Sequence, residues 1–129
     1  MKGDVPVRDF GIAYDSLTYD PPVSSRADLD PVQQAEPLTP GTDRCWLPRA
    51  PHKLVKIADV PVMILTSEAS YHAGYDGCTA AFLTQAGVAN DWIKLGDRGI
   101  HGNGHMMMWE KNNLEIAGVI DGWIGTKVK

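Results

Sequence analysis

The prolines of this chain are concentrated in its first part, and this constrains what that part can fold into. Proline lacks a backbone N–H donor and fixes φ, so long helices and central strands are not expected where prolines are frequent. Residues 1–52 are therefore predicted to be an irregular segment. Because the segment also contains Phe10, Ile12 and Trp46, we expect it to drape over a larger body. Eight of the nine prolines lie in this segment: Pro6, Pro21, Pro22, Pro31, Pro37, Pro40, Pro48 and Pro51.

Residues 53–129 have a different pattern, in which predicted strands and helices alternate. The apolar run 60–66 is typical of a strand buried on both faces, with Pro61 tolerated near its start. Residues 90–95 form the second predicted strand. Alternation of this kind predicts an α/β architecture with two parallel strands joined by a right-handed crossover. Two strands are too few for a doubly wound sheet, so further strands are expected from elsewhere.

Two helices are predicted between and after these strands. The first covers 75–86, with Asp76 as a candidate N-cap and Gly87 as its stop. The second begins within 110–113 and is expected to end at Gly125. Its apolar residues follow helical spacing, which places them on one face: Ile116, Val119, Ile120, Trp123 and Ile124.

Composition excludes some classes of function and leaves others open. The net charge of −4 argues against a nucleic-acid surface, which is usually basic. No apolar run approaches the roughly 18 residues that suggest a membrane span, so no membrane partner is expected. The first residues lack the apolar stretch of a secretory signal, and localisation stays undetermined. Cys45 and Cys78 are interpreted as two separate thiols, although spacing alone leaves a disulfide open.

A glycine-rich loop over 96–105 is the most informative stretch for chemistry. It follows the second strand, so it should lie at the carboxyl edge of the sheet, where ligands bind in α/β proteins. It contains His101 and His105. An imidazole at this position can accept a proton from a serine hydroxyl near neutral pH.

Several segments resemble a bacterial and fungal group of α/β-hydrolase esterases. The strongest is 102–108 (GNGHMMM) followed by 110–112 (EKN), which resembles the histidine segment of that group. The segments 66–72 (TSEASYH), 75–78 (YDGC) and 17–23 (LTYDPPV) match as well. The resemblance implies that the histidine after Gly104 completes a Ser–acid–His triad as the general base.

The nucleophile that this family requires is not found in the sequence. No Gly-x-Ser-x-Gly elbow occurs, and the family places that elbow earlier than the acid and the histidine. The resemblance therefore implies the last two parallel strands and helices of an α/β-hydrolase fold, in a C-terminal fragment of a serine esterase. The chain alone is expected to be inactive. The alternative is a non-catalytic binding or interaction module derived from the same fold.

The remaining expectations concern the surroundings of His105. Glu68 follows the first strand and is a candidate triad acid, expected within hydrogen-bond reach of His105. Its alternative role is to hold the loop by accepting hydrogen bonds from backbone N–H groups. In the family that the chain resembles, the triad acid tends to lie further upstream. Glu36 is a weaker candidate. Tyr71 and His72 are candidate substrate-pocket residues.

No metal site or cofactor is expected. His101 and His105 have metal-like spacing, but the glycines between them argue against the helix that such a pair requires. Cys78 is expected to be structural rather than a nucleophile, and Met106–Met108 are expected to pack. The expected partners are a small ester substrate in the intact enzyme and either the missing N-terminal part or further copies of the chain.

Overall fold

The structure is a computed structural model that describes residues 17–128. Phe10 and Ile12, which were expected to pack on a larger body, lie outside this range. Short strands and two helices make this part of the chain an α/β structure, in agreement with the predicted class. The elements in chain order are β1 (Pro31–Gln33), β2 (Trp46–Pro48), β3 (Val62–Thr66), α1 (Asp76–Gln85), β4 (Asn90–Lys94) and α2 (Asn113–Lys127).

Strands β3 and β4 pair in parallel, as the alternation of elements predicted. Val62 lies opposite Asn90 and Thr66 opposite Lys94, so the two strands end at the same edge. The expectation that β3 is buried on both faces is wrong for the described residues, because Val62 to Leu65 are only half-buried. The faces of a strand are buried by packing, and of β3 only Val62 and Leu65 pack against the apolar clusters of the described residues.

Helix α1 connects these strands, and Asp76 has a different role from the predicted one. Tyr75 is the N-cap and Asp76 is the first helical residue, where its side chain turns inward and is buried. Gly87 adopts a left-handed conformation with φ of 79° just after the helix, as expected of a stop.

Helix α2 is longer than the sequence suggested. It continues through Gly125 to Lys127, so the expectation that Gly125 ends the helix is wrong. Side-chain bonds hold the last turn to β4: the Trp123 indole donates to Asp91 at 2.7 Å and Lys127 pairs with the same carboxylate at 2.9 Å. These contacts offset the low helix propensity of glycine, which is worth about 1 kcal/mol relative to alanine.

The proline-rich segment is attached to the rest of the chain by several contacts. Strands β1 and β2 form a short antiparallel pair, and β2 lies against α1. Cys45 and Cys78 form a disulfide with a Cα–Cα distance of 5.2 Å, so the interpretation as separate thiols is wrong. Cysteine spacing could not show this, because the packing of the segment on the start of α1 brings together residues 33 positions apart.

Six of the buried apolar residues form two small clusters of three residues each. One contains Leu54, Ala86 and Val88, with Phe82 and Leu83 of α1 packed against it. The second cluster joins the end of β4, the glycine-rich loop and α2. Its buried residues are Leu95, Ile100 and Ile116, so it anchors the glycine-rich loop to α2. The exposed side of α2 still carries apolar residues, since Ile124 is 44% and Leu114 is 83% exposed.

Candidate active site

The segments that follow β3 and β4 lie side by side at the carboxyl edge of the parallel pair. The Ser67 hydroxyl donates to the Gly104 carbonyl at 2.7 Å, and the Ala69 backbone N–H donates to the Asn103 carbonyl at 2.9 Å. Ser67 is fully buried, so this contact has little competition from water. These two bonds fix the segment after β3 against the histidine loop.

His105 lies in the middle of a group of aromatic and polar side chains from residues 70–72. Ser70 Oγ is 3.2 Å from His105 Nδ1. The His72 ring stacks on the His105 ring, with centroids 4.2 Å apart and planes 16° apart. The Tyr71 ring is tilted at 4.5 Å from His105 and is 69% exposed. The structure therefore brings together the three residues that the sequence placed in one site: His105, Tyr71 and His72.

Glu68 does not make the expected hydrogen bond to His105 within the described residues. Its carboxylate accepts a bond from His101 Nδ1 at 2.9 Å and another from the Gly102 N–H at 3.1 Å. The hydrogen bond from His101, followed by that from Gly102, holds the pKa of Glu68 below its ordinary value. The segment after β3 runs beside the histidine loop in a register that places Glu68 against His101 and Gly102. In the same register, Ser70 contacts His105.

A chain of hydrogen bonds through the buried residues Thr66 and Asp76 leads to the stacked imidazole of His72. The Trp92 indole N–H donates to Thr66 Oγ1 at 3.0 Å, and Thr66 donates to Asp76 Oδ2 at 2.7 Å. Asp76 Oδ1 lies 3.3 Å from His72 Nδ1. Sequence reasoning missed these contacts because Asp76 at a helix start resembles an ordinary cap. The one available signal was that it lies four residues after His72.

A second network shapes the histidine loop itself, and sequence reasoning also missed it. Asn103 is buried and its Nδ2 donates to Glu110 Oε2 and to Asn112 Oδ1, each at 2.7 Å. Asn112 Nδ2 donates back to Asn103 Oδ1 at 3.0 Å. Glu110 Oε1 also accepts the Gly104 N–H at 2.6 Å. The polar residues of the 102–112 segment thus hold the histidine loop around His105. The sequence signal that could have indicated this network was the presence of Asn103, Glu110 and Asn112 in the segments that resemble the esterase group.

Other candidates from the sequence have no part in this arrangement. Cys78 is bonded to Cys45 and has no free thiol for nucleophilic attack. Met107 packs against the cluster beneath the loop, whereas Met106 and Met108 are 44% and 53% exposed. Glu36 is an exposed residue of the proline-rich segment.

Within 17–128, no three His, Cys, Asp or Glu side chains are grouped in a way that could hold a metal ion. Neither helix of the same range has both the length and the apolar character needed to cross a bilayer.

Comparison with known proteins relates the chain to a lipase. It is similar to "Probable secreted lipase phiG" of Fungal sp. (strain ATCC 74256), with 44% identity over 123 residues. The match covers 91% of this chain and 32% of the relative, so the chain spans about a third of the length of that protein. The similarity supports a lipase- or esterase-like relationship. No protein-family model matches the chain. No solved structure matches it either.

Proposed function

We propose that this chain supplies the histidine-bearing part of a carboxylic-ester hydrolase with the α/β-hydrolase fold, and that His105 is its general base. The observation that carries the proposal is the placement of His105 at the carboxyl edge of the parallel strands, between Ser70 and the ring of His72. This is the sheet edge at which α/β proteins bind ligands. The similarity to a probable lipase supports the same class of reaction.

In the proposed reaction, a serine from polypeptide outside this sequence attacks the ester carbonyl carbon. His105 takes the hydroxyl proton as the new carbon–oxygen bond forms, and it then protonates the departing alcohol. In the second half, His105 removes a proton from water, and the water oxygen attacks the acyl carbon. The bond to the serine oxygen then breaks, His105 returns the proton to that oxygen, and the carboxylic acid is released. We assign Tyr71 to the lining of the substrate pocket, an assignment supported by its exposed ring beside His105.

The nucleophile and the oxyanion donors of this fold come from the Gly-x-Ser-x-Gly elbow and from an earlier loop. Since the sequence contains no such elbow, we propose that the chain alone is inactive. The contacts of Glu68 favour the loop-holding role over that of triad acid, because its carboxylate is occupied by His101 and Gly102.

A chimera tests the role of His105. The 129-residue chain replaces the matching segment of the fungal relative, and hydrolysis of a p-nitrophenyl ester is measured. We expect turnover in the chimera, a loss of at least about 10³-fold in His105→Ala, and a change of only a few-fold in the matched control His101→Ala. A folded but inactive chimera would favour the alternative, a binding module.

The free chain is the second arm of that experiment. It should show no turnover above its own His105→Ala variant, which corrects for slow hydrolysis by any exposed imidazole. Turnover in the free chain that disappears in His105→Ala would mean that the nucleophile lies within this sequence, and Ser70 would be the first residue to examine.

The surface of the chain supports association with further polypeptide. An apolar groove of about 400 Å³ lies between β3 and α2, lined by Leu65, Met107, Ile116 and Ile120 among others. Apolar patches of this kind are rarely left open to water. We propose that the rest of the hydrolase domain covers this face, and that the free chain self-associates through it. Sedimentation velocity of the purified chain tests this, and a stable monomer would contradict it.

A further inference from the structure

Asp76 is a buried carboxylate that contacts His72, the residue whose ring stacks on that of the proposed base, His105. The directions of its hydrogen bonds follow from the chemistry of the groups. An indole can only donate, so Trp92 donates to Thr66, and the Thr66 hydroxyl is then the donor to Asp76 Oδ2. Gly77 leaves room for the Trp92 ring that bonds to Thr66, because a Cβ at position 77 would lie 2.6 Å from that ring.

The remaining oxygen of Asp76 faces His72. Asp76 Oδ1 lies 3.3 Å from His72 Nδ1, so the contact is a hydrogen bond to the carboxylate when Nδ1 of His72 carries the ring proton. The contact orients the plane of the His72 ring. That ring is stacked on His105. Ser70, whose hydroxyl contacts His105 Nδ1, also accepts the backbone N–H of His72 at 3.1 Å.

We propose that Asp76 is the carboxylate that serves the site of His105, and that it acts through the stacked ring of His72. Asp76 and His72 are positioning residues, and the inference rests on the proposed role of His105 as the base. When His105 accepts the serine proton, its positive charge develops against a neutral imidazole that is itself bonded to a buried carboxylate. The pair thereby supplies the negative charge that a triad acid usually supplies by direct contact, while Ser70 orients the His105 ring.

The test is the protonation pattern of the imidazole rings in the full chain, read by ¹⁵N magic-angle-spinning NMR of histidine-labelled protein. This method does not require a monodisperse solution, and the chain has four histidines to resolve. In the wild type we expect His72 as a single Nδ1–H tautomer. In Asp76→Asn we expect the loss of that single form and a shift of the His105 ring signals. Glu68→Gln is the matched control, and it should change His101 while leaving His105 as in the wild type.

A second variant keeps the proposal testable if Asp76→Asn disturbs helix α1. His72→Phe retains a stacking ring but removes the bond to Asp76, and it should also shift the His105 signals without changing those of His101. The inference is overturned if His72 is a tautomer mixture in the wild type. It is also overturned if His105 is unaffected by both variants, or if it responds to Glu68→Gln instead. Because no step of this test measures hydrolysis, an inactive chimera counts against the proposed function alone.

Discussion

Replacing Asn103 with alanine should loosen the histidine loop and lower the stability of the chain. Asn103 is buried and makes three side-chain hydrogen bonds, one to the carboxylate of Glu110 and two with the amide of Asn112. A bond to a charged group contributes about 1.5–3 kcal/mol and a neutral one about 1 kcal/mol. Since Glu110 and Asn112 are only half-buried, water replaces part of this, and we expect a loss of about 3 kcal/mol in the free energy of unfolding.

Urea unfolding of the chain at low concentration, followed by tryptophan fluorescence, measures this loss. Asn113→Ala is the matched control. The Asn113 side chain donates a hydrogen bond of 3.0 Å to the Met108 carbonyl in an exposed setting, so its loss should cost about 1 kcal/mol or less. If Asn103→Ala costs no more than Asn113→Ala, the network does not stabilise the loop and the reasoning is refuted.

Three further predictions concern other parts of the structure. Gly77→Ala should destabilise the chain by about 1–3 kcal/mol in thermal or urea unfolding, because the added methyl meets the Trp92 ring. Reducing the disulfide, which spans 33 positions, should cost roughly 4 kcal/mol by loop entropy, and unchanged unfolding under reductant would contradict this. The hydrogen bonds from His101 and Gly102 lower the pKa of Glu68 below its ordinary value of 4.5. Their contribution to stability is therefore fully present above pH 4.5 and is lost as the pH falls through the lowered pKa. Stability measured between pH 7 and pH 3 should therefore fall less steeply in Glu68→Gln.

The disulfide also bears on where the protein folds. Disulfides persist mainly in oxidising compartments, so the Cys45–Cys78 bond is expected to be present only where the chain meets oxidising conditions. Cell fractionation with thiol labelling of Cys45 and Cys78 tests this expectation, and reduced cysteines in an oxidising compartment would contradict it.

Features that depend on local patterns could be predicted from the sequence. The apolar run 60–66 and the alternation after it were sufficient for a parallel strand pair, because side-chain periodicity and connection rules act over short stretches. The placement of His105 with Tyr71 and His72 followed from the same rule, since the segments after parallel strands meet at one edge.

Features that depend on register between distant segments were decided by the tertiary structure. Glu68 and Ser70 are two residues apart and both follow β3, but they have different partners in the histidine loop. Glu68 bonds to His101, whereas Ser70 contacts His105. The inward turn of Asp76 depends on the indole of Trp92, sixteen positions later in the chain, reaching Thr66 across the sheet. Sequence determined which residues reach this edge of the sheet, whereas their partners were decided by packing, because a hydrogen bond requires contact within about 3 Å and no local pattern specifies that distance.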